Sequence, residues 1–569
     1  MASTEGTTLA RPSTTSHAAI DVAVLRLRQG ATRLAQASLV QRMQWARLCT
    51  DGIAHVAVTW VEAACRAKQI PAASPARAEE FLVGPVAVLR YLRLMIGTFT
   101  QLHSGSEPGL PGKVYRRNDQ LRVPTFPTAE LYDRLVFKPL SAETWLQPQV
   151  APDAIFGDYP ARLTRQFIPP PHVTLVLGAG NVSAIPATDA LTKILQEDRA
   201  VLLKMNPVND YLGPLFEQAL RPLIDEGLLQ IVYGGSDVGS YAVHHPQIDS
   251  VHITGSIETH DAIVWGPDVQ ERCARKANGS PVVAKPVTSE LGNVTPWAIL
   301  PGEYSETQLR AQAESIVASI TNNASFNCIA TKMLITWKRW PARERFLDLI
   351  DSILSRIPPR CAYYPGARDR FREFVGRETI ANNEKTLPWT LRRGVNADRD
   401  PELFERESFV CVTGETALDA TSPQTFLEAA TELMNDRLWG TLAAAITIPD
   451  AWQKREPAAL EAAIELLRYG TIGINMWPGI AYALMSPPWG AFPGAILSDV
   501  QSGSGFVHNT YLLSNPQKTV LRSPLSFSPK PVWFSTHRRP EIVAAKLCGL
   551  YSQPSIWKIP GLLAQALRG

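Results

Sequence analysis

A chain of 569 residues with 45% hydrophobic content is long enough for two or three domains with large cores, which excludes a filament or a disordered chain. Its 56 basic and 53 acidic residues leave a net charge of +3 with no dense Lys/Arg run, so nucleic acid is not an expected partner and small-molecule chemistry is. Seven cysteines, odd in number and never in a CxxC pair, fit neither a disulfide framework nor a zinc site; no metal is expected, and the thiols read as those of a cytoplasmic protein.

Residues 1–17, rich in Ser, Thr and Ala, read as a disordered leader without a secretory apolar core, and no later run approaches the roughly 18 apolar residues that span a bilayer. From Ala18 to about Ala72 the pattern is helical, with Leu39, Met43 and Ala46 at i, i+4 and i+7. Residues 104–119 predict a loop, followed to about residue 170 by irregular chain with short strands. The rhythm then changes. HVTLVLGAGN, AVLLKMNP, LLQIVYGG and DSVHITGS are apolar strands separated by helical stretches, which predicts a parallel, doubly wound sheet. Ligands bind such sheets at the carboxyl ends of the strands, and three of these ends carry GAGN, KMNP and TGS. Beyond residue 290 the alternation resumes through TKMLITW, FVCVTGE and TIGINM as a second α/β unit. The last 60 or so residues are punctuated by proline and end in a short apolar helix.

One stretch in the second unit, NNASFNCIATK, places Cys328 among amide and small side chains, where it is either a reacting thiol or an ordinary buried cysteine. The ordered landmarks decide between them. LGAGNVSAIP, VLLKMNP, HPQIDSVHITGS, TSELGN, SFNCIA, RESF, and TIGIN followed by PPWGAFPG resemble, in order, the aldehyde dehydrogenase superfamily over residues 170–500. The resemblance implies an α/β fold with a Rossmann-type cofactor domain, an α/β catalytic domain and an oligomerisation element. The corresponding division is residues 18–289 for the N-terminal helices and cofactor domain, 290–495 for the catalytic domain, and 496–569 for a C-terminal extension.

The same resemblance implies roles for particular residues. Cys328 would be the nucleophile, forming a thiohemiacetal and then a thioester. Asn181 would donate to the developing alkoxide, and Glu290 would be the base that activates water against the thioester. Lys204, Gly255, Ser256, Glu407 and Phe409 would hold NAD or NADP, Lys204 at the adenosine ribose, Ser256 at the pyrophosphate and Glu407 at the nicotinamide ribose. Several positions depart from the family pattern. Asn293 stands for a second glycine after Glu290-Leu, which puts the reach of Glu290 in question; Gly180, Phe326 and His260 replace a usual tryptophan, glutamine and glycine; and Pro207 replaces a glutamate, so a 2′-phosphate is not repelled.

The expected reaction is oxidation of an aldehyde to a carboxylic acid. Phe326, Trp477 and Trp489 suggest a hydrophobic tunnel and therefore a hydrophobic aldehyde. A coenzyme A-acylating dehydrogenase or acyl-CoA reductase stands as the enzymatic alternative, and a non-catalytic scaffold relative as the other. A homo-oligomer is implied by the resemblance. The terminal helix, with Ile556, Trp557 and Leu567, reads as a docked helix or a peripheral membrane contact.

Overall fold

The computed structural model describes residues 11–375 and 385–569. Two sheets dominate it. In the smaller, five parallel strands run in the order Val287–Glu290, Ser250–Thr254, His172–Leu177, Arg199–Lys204, Leu229–Val232, and Gly503–Ser504 adds an antiparallel edge beside Glu290. The four strands expected from sequence are all present; three of them, His172–Leu177, Arg199–Lys204 and Ser250–Thr254, are buried along most of their length and mainly apolar, as parallel strands covered by helices are. Val287–Glu290 has no such run, being four residues long with three of them polar, and it carries Glu290 at its end.

The larger sheet has six parallel strands in the order Thr471–Ile474, Ala443–Thr447, Thr295–Ile299, Thr331–Trp337, Val412–Leu418, Thr390–Arg393. Strand Pro516–Arg522 joins it in parallel beside Thr471–Ile474 and pairs antiparallel with Ser141–Leu146, which continues through Gln120–Phe126 to Tyr115–Arg117. The segment read as a proline-punctuated extension therefore supplies a sheet strand before its helices, Pro540–Ser552 and Ile559–Ala566.

Helix Leu39–Ala67 starts in a capping box between Ser38 and Gln41, and Leu39, Met43 and Ala46 are all buried. Of the expected leader, residues 1–10 lie outside the described residues, whereas Thr15 pairs with Tyr233 and Ser16 caps helix His17–Gln36. One helical stretch among the described residues, Arg77–His103, is long and apolar enough by composition to cross a membrane. It lies mostly in the core, where buried Arg90 makes a two-pronged pair with Asp133 at 2.6 and 2.7 Å and donates to the Leu484 carbonyl.

A second buried ionic knot fixes the N-terminal helices to the smaller sheet. Asp198, just before strand Arg199–Lys204, accepts from Arg42, Arg162 and, at 2.9 Å, Arg165. Burial alone would raise its carboxyl, yet the three guanidinium groups hold it below the ordinary value. Asp198→Ala leaves buried Arg42 without its counter-ion, and a loss of about 3–5 kcal/mol is expected in denaturant unfolding.

Candidate active site

Cys328 lies between helix Glu306–Thr321 and strand Thr331–Trp337 on a turn the chain does not adopt cheaply. Asn323, Ala324 and Ser325 have consecutive positive φ values of 51°, 56° and 68°, each costing on the order of 1 kcal/mol or more for a non-glycine residue. The surroundings hold the turn in place. Asn323 accepts at its side-chain oxygen from Lys68 Nζ and Tyr363 Oη, both at 3.0 Å, and its backbone N–H donates to Glu79 at 2.9 Å. Buried Lys332 donates from below to the Ser325 hydroxyl at 2.9 Å and to the Val410 carbonyl at 2.6 Å. Sequence reasoning missed Lys332, whose only signal was a charged residue in an otherwise apolar strand.

Glu290 meets the thiol directly: Cys328 Sγ donates to Glu290 Oε1 at 3.2 Å. The Asn293 substitution does not prevent this. Its side chain turns into the larger sheet, donating to the Ala443 carbonyl at 2.7 Å and to Thr295 at 3.1 Å, while the required glycine is Gly292, where a Cβ would lie 1.9 Å from Glu407 Oε2. Burial pushes the Glu290 carboxyl up to about 7. Burial, followed by Glu290 and Glu407, pushes the Cys328 thiol well above its ordinary range, so at neutral pH the resting sulfur carries its proton.

Asn181 reaches the same place from the smaller sheet. Its Nδ2 donates to the Phe326 carbonyl at 3.1 Å, which pins it beside the Cys328 turn and leaves a second amide hydrogen. Gly180 before it is enforced by packing, since a Cβ would lie 2.7 Å from the Asn206 side chain; a tryptophan has no room there. Phe326 is not a tunnel residue. It is buried and packs against Tyr363, Tyr364 and Phe409, so the expectation that it lines the substrate path is corrected to a core role supporting the turn.

The remaining residues border a cleft of about 1390 Å³ over the carboxyl ends of the smaller sheet. Lys204 ends strand Arg199–Lys204, and burial lowers its ammonium pKa. Above Gly255 the space is open, and Ser256 caps helix Ile257–Trp265, accepting from Thr259 N–H at 3.2 Å. Glu407 is half-buried, its Oε1 out of contact with solvent and unpartnered, and desolvation raises its carboxyl. Phe409 packs its ring on Tyr364 at 5.1 Å. The cleft is lined by all eight residues singled out in the sequence: Asn181, Lys204, Gly255, Ser256, Glu290, Cys328, Glu407 and Phe409. His260, by contrast, is turned into the interior against Asp261 at 3.2 Å.

A second cavity, of about 790 Å³, approaches the thiol from another side. It is largely apolar, with Trp477 and Trp489 in its wall, and Trp477 Nε1 donates to the Ile329 carbonyl at 2.7 Å just after Cys328. Glu290 and Cys328 border both cavities.

Fold and geometry together define a class: a two-sheet α/β protein in which a half-buried thiol faces a carboxyl where a Rossmann-type cleft meets an apolar tunnel. The family described as the aldehyde dehydrogenase family matches residues 181–351. A D-glyceraldehyde dehydrogenase (NADP⁺) of Thermoplasma acidophilum is 23% identical over 353 residues, covering 58% of this chain and 65% of the relative, just under two thirds of its length. A 4-trimethylaminobutyraldehyde dehydrogenase A of Danio rerio is 25% identical over 180 residues, 32% of each chain. Among solved structures, an indole-3-acetaldehyde dehydrogenase complexed with NAD⁺ has a TM-score of 0.57 at 17% identity, covering 90% of both chains. An NADP-dependent glyceraldehyde-3-phosphate dehydrogenase of Bacillus halodurans complexed with NADP gives 0.56 at 15% identity, over 89% of this chain and 91% of that one. These matches place residues 181–351 with the aldehyde dehydrogenase family, and the curated relatives of the chain are aldehyde dehydrogenases at low identity.

Proposed function

We propose that the protein oxidises an apolar aldehyde to the carboxylic acid with NAD or NADP through a thioester on Cys328. The observation that carries this reading is the convergence of the cleft and the tunnel on Cys328 and Glu290. In this reading residues 18–289 form the cofactor unit, 290–495 the catalytic unit, and the assembly is a cytoplasmic homo-oligomer. The cleft residues fit a dinucleotide: the unpartnered, buried Glu407 Oε1 accepts a ribose hydroxyl, open Gly255 and the helix start at Ser256 accept a pyrophosphate, and Lys204 lies at the adenosine end. No carboxylate stands at position 207 to repel a 2′-phosphate, so both cofactors remain candidates.

The Cys328 thiol, held against Glu290 at 3.2 Å, gives up its proton to solvent water in the cleft, and the thiolate adds to the aldehyde carbon. The alkoxide then forms beside the free amide hydrogen of Asn181 and the backbone N–H of Cys328, and its collapse to the thioester releases a hydride. A nicotinamide bound in the cleft supplies the hydride acceptor. The Glu290 carboxylate then draws a proton from water, the hydroxide adds to the thioester carbon, and the acid leaves as the Cys328 sulfur departs and regains its proton from Glu290. Asn181→Ala is expected to lower kcat by about 10²–10³, the usual worth of one oxyanion donor, with KM changing less. Steady-state kinetics on the reactive aldehyde checks it.

The deciding experiment follows reduced-cofactor absorbance with an aldehyde panel, with NAD or NADP, and with or without coenzyme A. Turnover without coenzyme A supports hydrolytic oxidation. Strict dependence on it moves the protein to the acylating alternative, and the absence of both turnover and cofactor binding favours the scaffold alternative.

A further inference from the structure

The tunnel is not closed by the two α/β units alone. After strand Pro516–Arg522, chain 523–569 folds back over the site: Ser535 bonds Thr321 at 2.6 Å, one residue before the nucleophile turn, and Glu541 pairs with Arg77 at 2.9 Å. Helix Pro540–Ser552 packs on Arg77–Leu82 and Pro85–His103, and Tyr551 Oη accepts from buried Arg90 at 2.8 Å. Val532, Trp533, Phe534, Leu547 and Tyr551 consequently line the same cavity as Cys328. Such an arrangement has energetic consequences. A small polar aldehyde would leave these apolar walls uncovered, whereas each methylene of a linear chain that enters them gains roughly fourfold in affinity.

We propose that the C-terminal extension is the specificity element of the site, closing the tunnel and selecting long-chain aliphatic aldehydes by length. This rests on the aldehyde reading above, and its test keeps the two apart. Val532 is half-buried, so Val532→Trp fills tunnel space without excavating the core, and Trp533→Ala enlarges the tunnel from the same loop. For the wild type, kcat/KM rises by roughly fourfold per methylene from butanal until the tunnel is full, then levels off. Val532→Trp moves the plateau to shorter chains and lowers the tetradecanal-to-butanal ratio by about sixteenfold, the equivalent of two displaced methylenes. Trp533→Ala moves the plateau to longer chains.

A parallel titration uses unreactive primary alcohols of the same lengths, read by quenching of tunnel tryptophan fluorescence. Identical length profiles in the wild type and both folded variants, for aldehydes and alcohols alike, overturn the role of the extension whatever the turnover. Alcohol binding whose length preference shifts in the variants, with no aldehyde oxidised, upholds the extension as the gauge of the tunnel and overturns the aldehyde reading instead.

Discussion

Cys328→Ala abolishes aldehyde-dependent cofactor reduction while the protein stays folded. Removal of a covalent nucleophile typically costs on the order of 10⁶ in kcat, because the remaining groups have nothing to acylate. Folding is spared for a local reason: the sulfur makes one hydrogen bond, to Glu290, and a long contact of 3.9 Å to Asn327, while Lys332, Lys68 and Tyr363 hold the turn. Thiol alkylation alone would mislead, since Cys273 is exposed and Cys361 half-buried. The useful readout is the difference between wild type and variant: mass spectrometry finds one fewer modified site in Cys328→Ala, and inactivation of the wild type tracks that site alone. Retained turnover in Cys328→Ala would remove the thioester from the chemistry.

The sequence made parts of this arrangement readable because the chemistry sits at strand ends. Four apolar runs stop at glycines or polar turns, and parallel strands with such ends gather them into one cleft; Asn181, Lys204 and Ser256 follow from that pattern together with the family resemblance. What was not legible depends on side-chain direction. Asn293 looked like a lost glycine that endangered Glu290, yet its amide is spent on Ala443 and Thr295, and only Gly292 needs to lack a Cβ. Phe326, two residues before Cys328, looked like a tunnel residue and packs onto Tyr363 and Tyr364 instead. Lys332 alternates onto the face of its strand beneath the turn, a placement that depends on register and has no motif. The tail gave no periodic signal, because its contacts with Thr321, Arg77 and Arg90 are made by isolated residues across more than two hundred positions of sequence.

Glu290→Gln separates two duties that act on one carboxylate, and it is expected to move two readouts in opposite directions. Without the base, thioester hydrolysis slows by about 10²–10⁴, so turnover falls by that factor and a burst of one reduced cofactor per site precedes the slow phase. The same change removes the negative charge that raises the Cys328 thiol pKa, so the thiolate forms at lower pH and iodoacetamide labels Cys328 faster near neutrality. The pH profile carries the sign. With its carboxyl pushed up to about 7, Glu290 is mostly protonated below that pH and acts as a base only above it, so the wild-type kcat climbs as pH passes through 7. An ordinary glutamate, ionised well below that, would give a flat profile there. In Glu290→Gln the rising limb disappears while the labelling limb shifts down. A variant that lost turnover with unchanged alkylation and no burst would mean that Glu290 acts before the thioester forms, and the hydrolytic role would then pass to another group in the cleft.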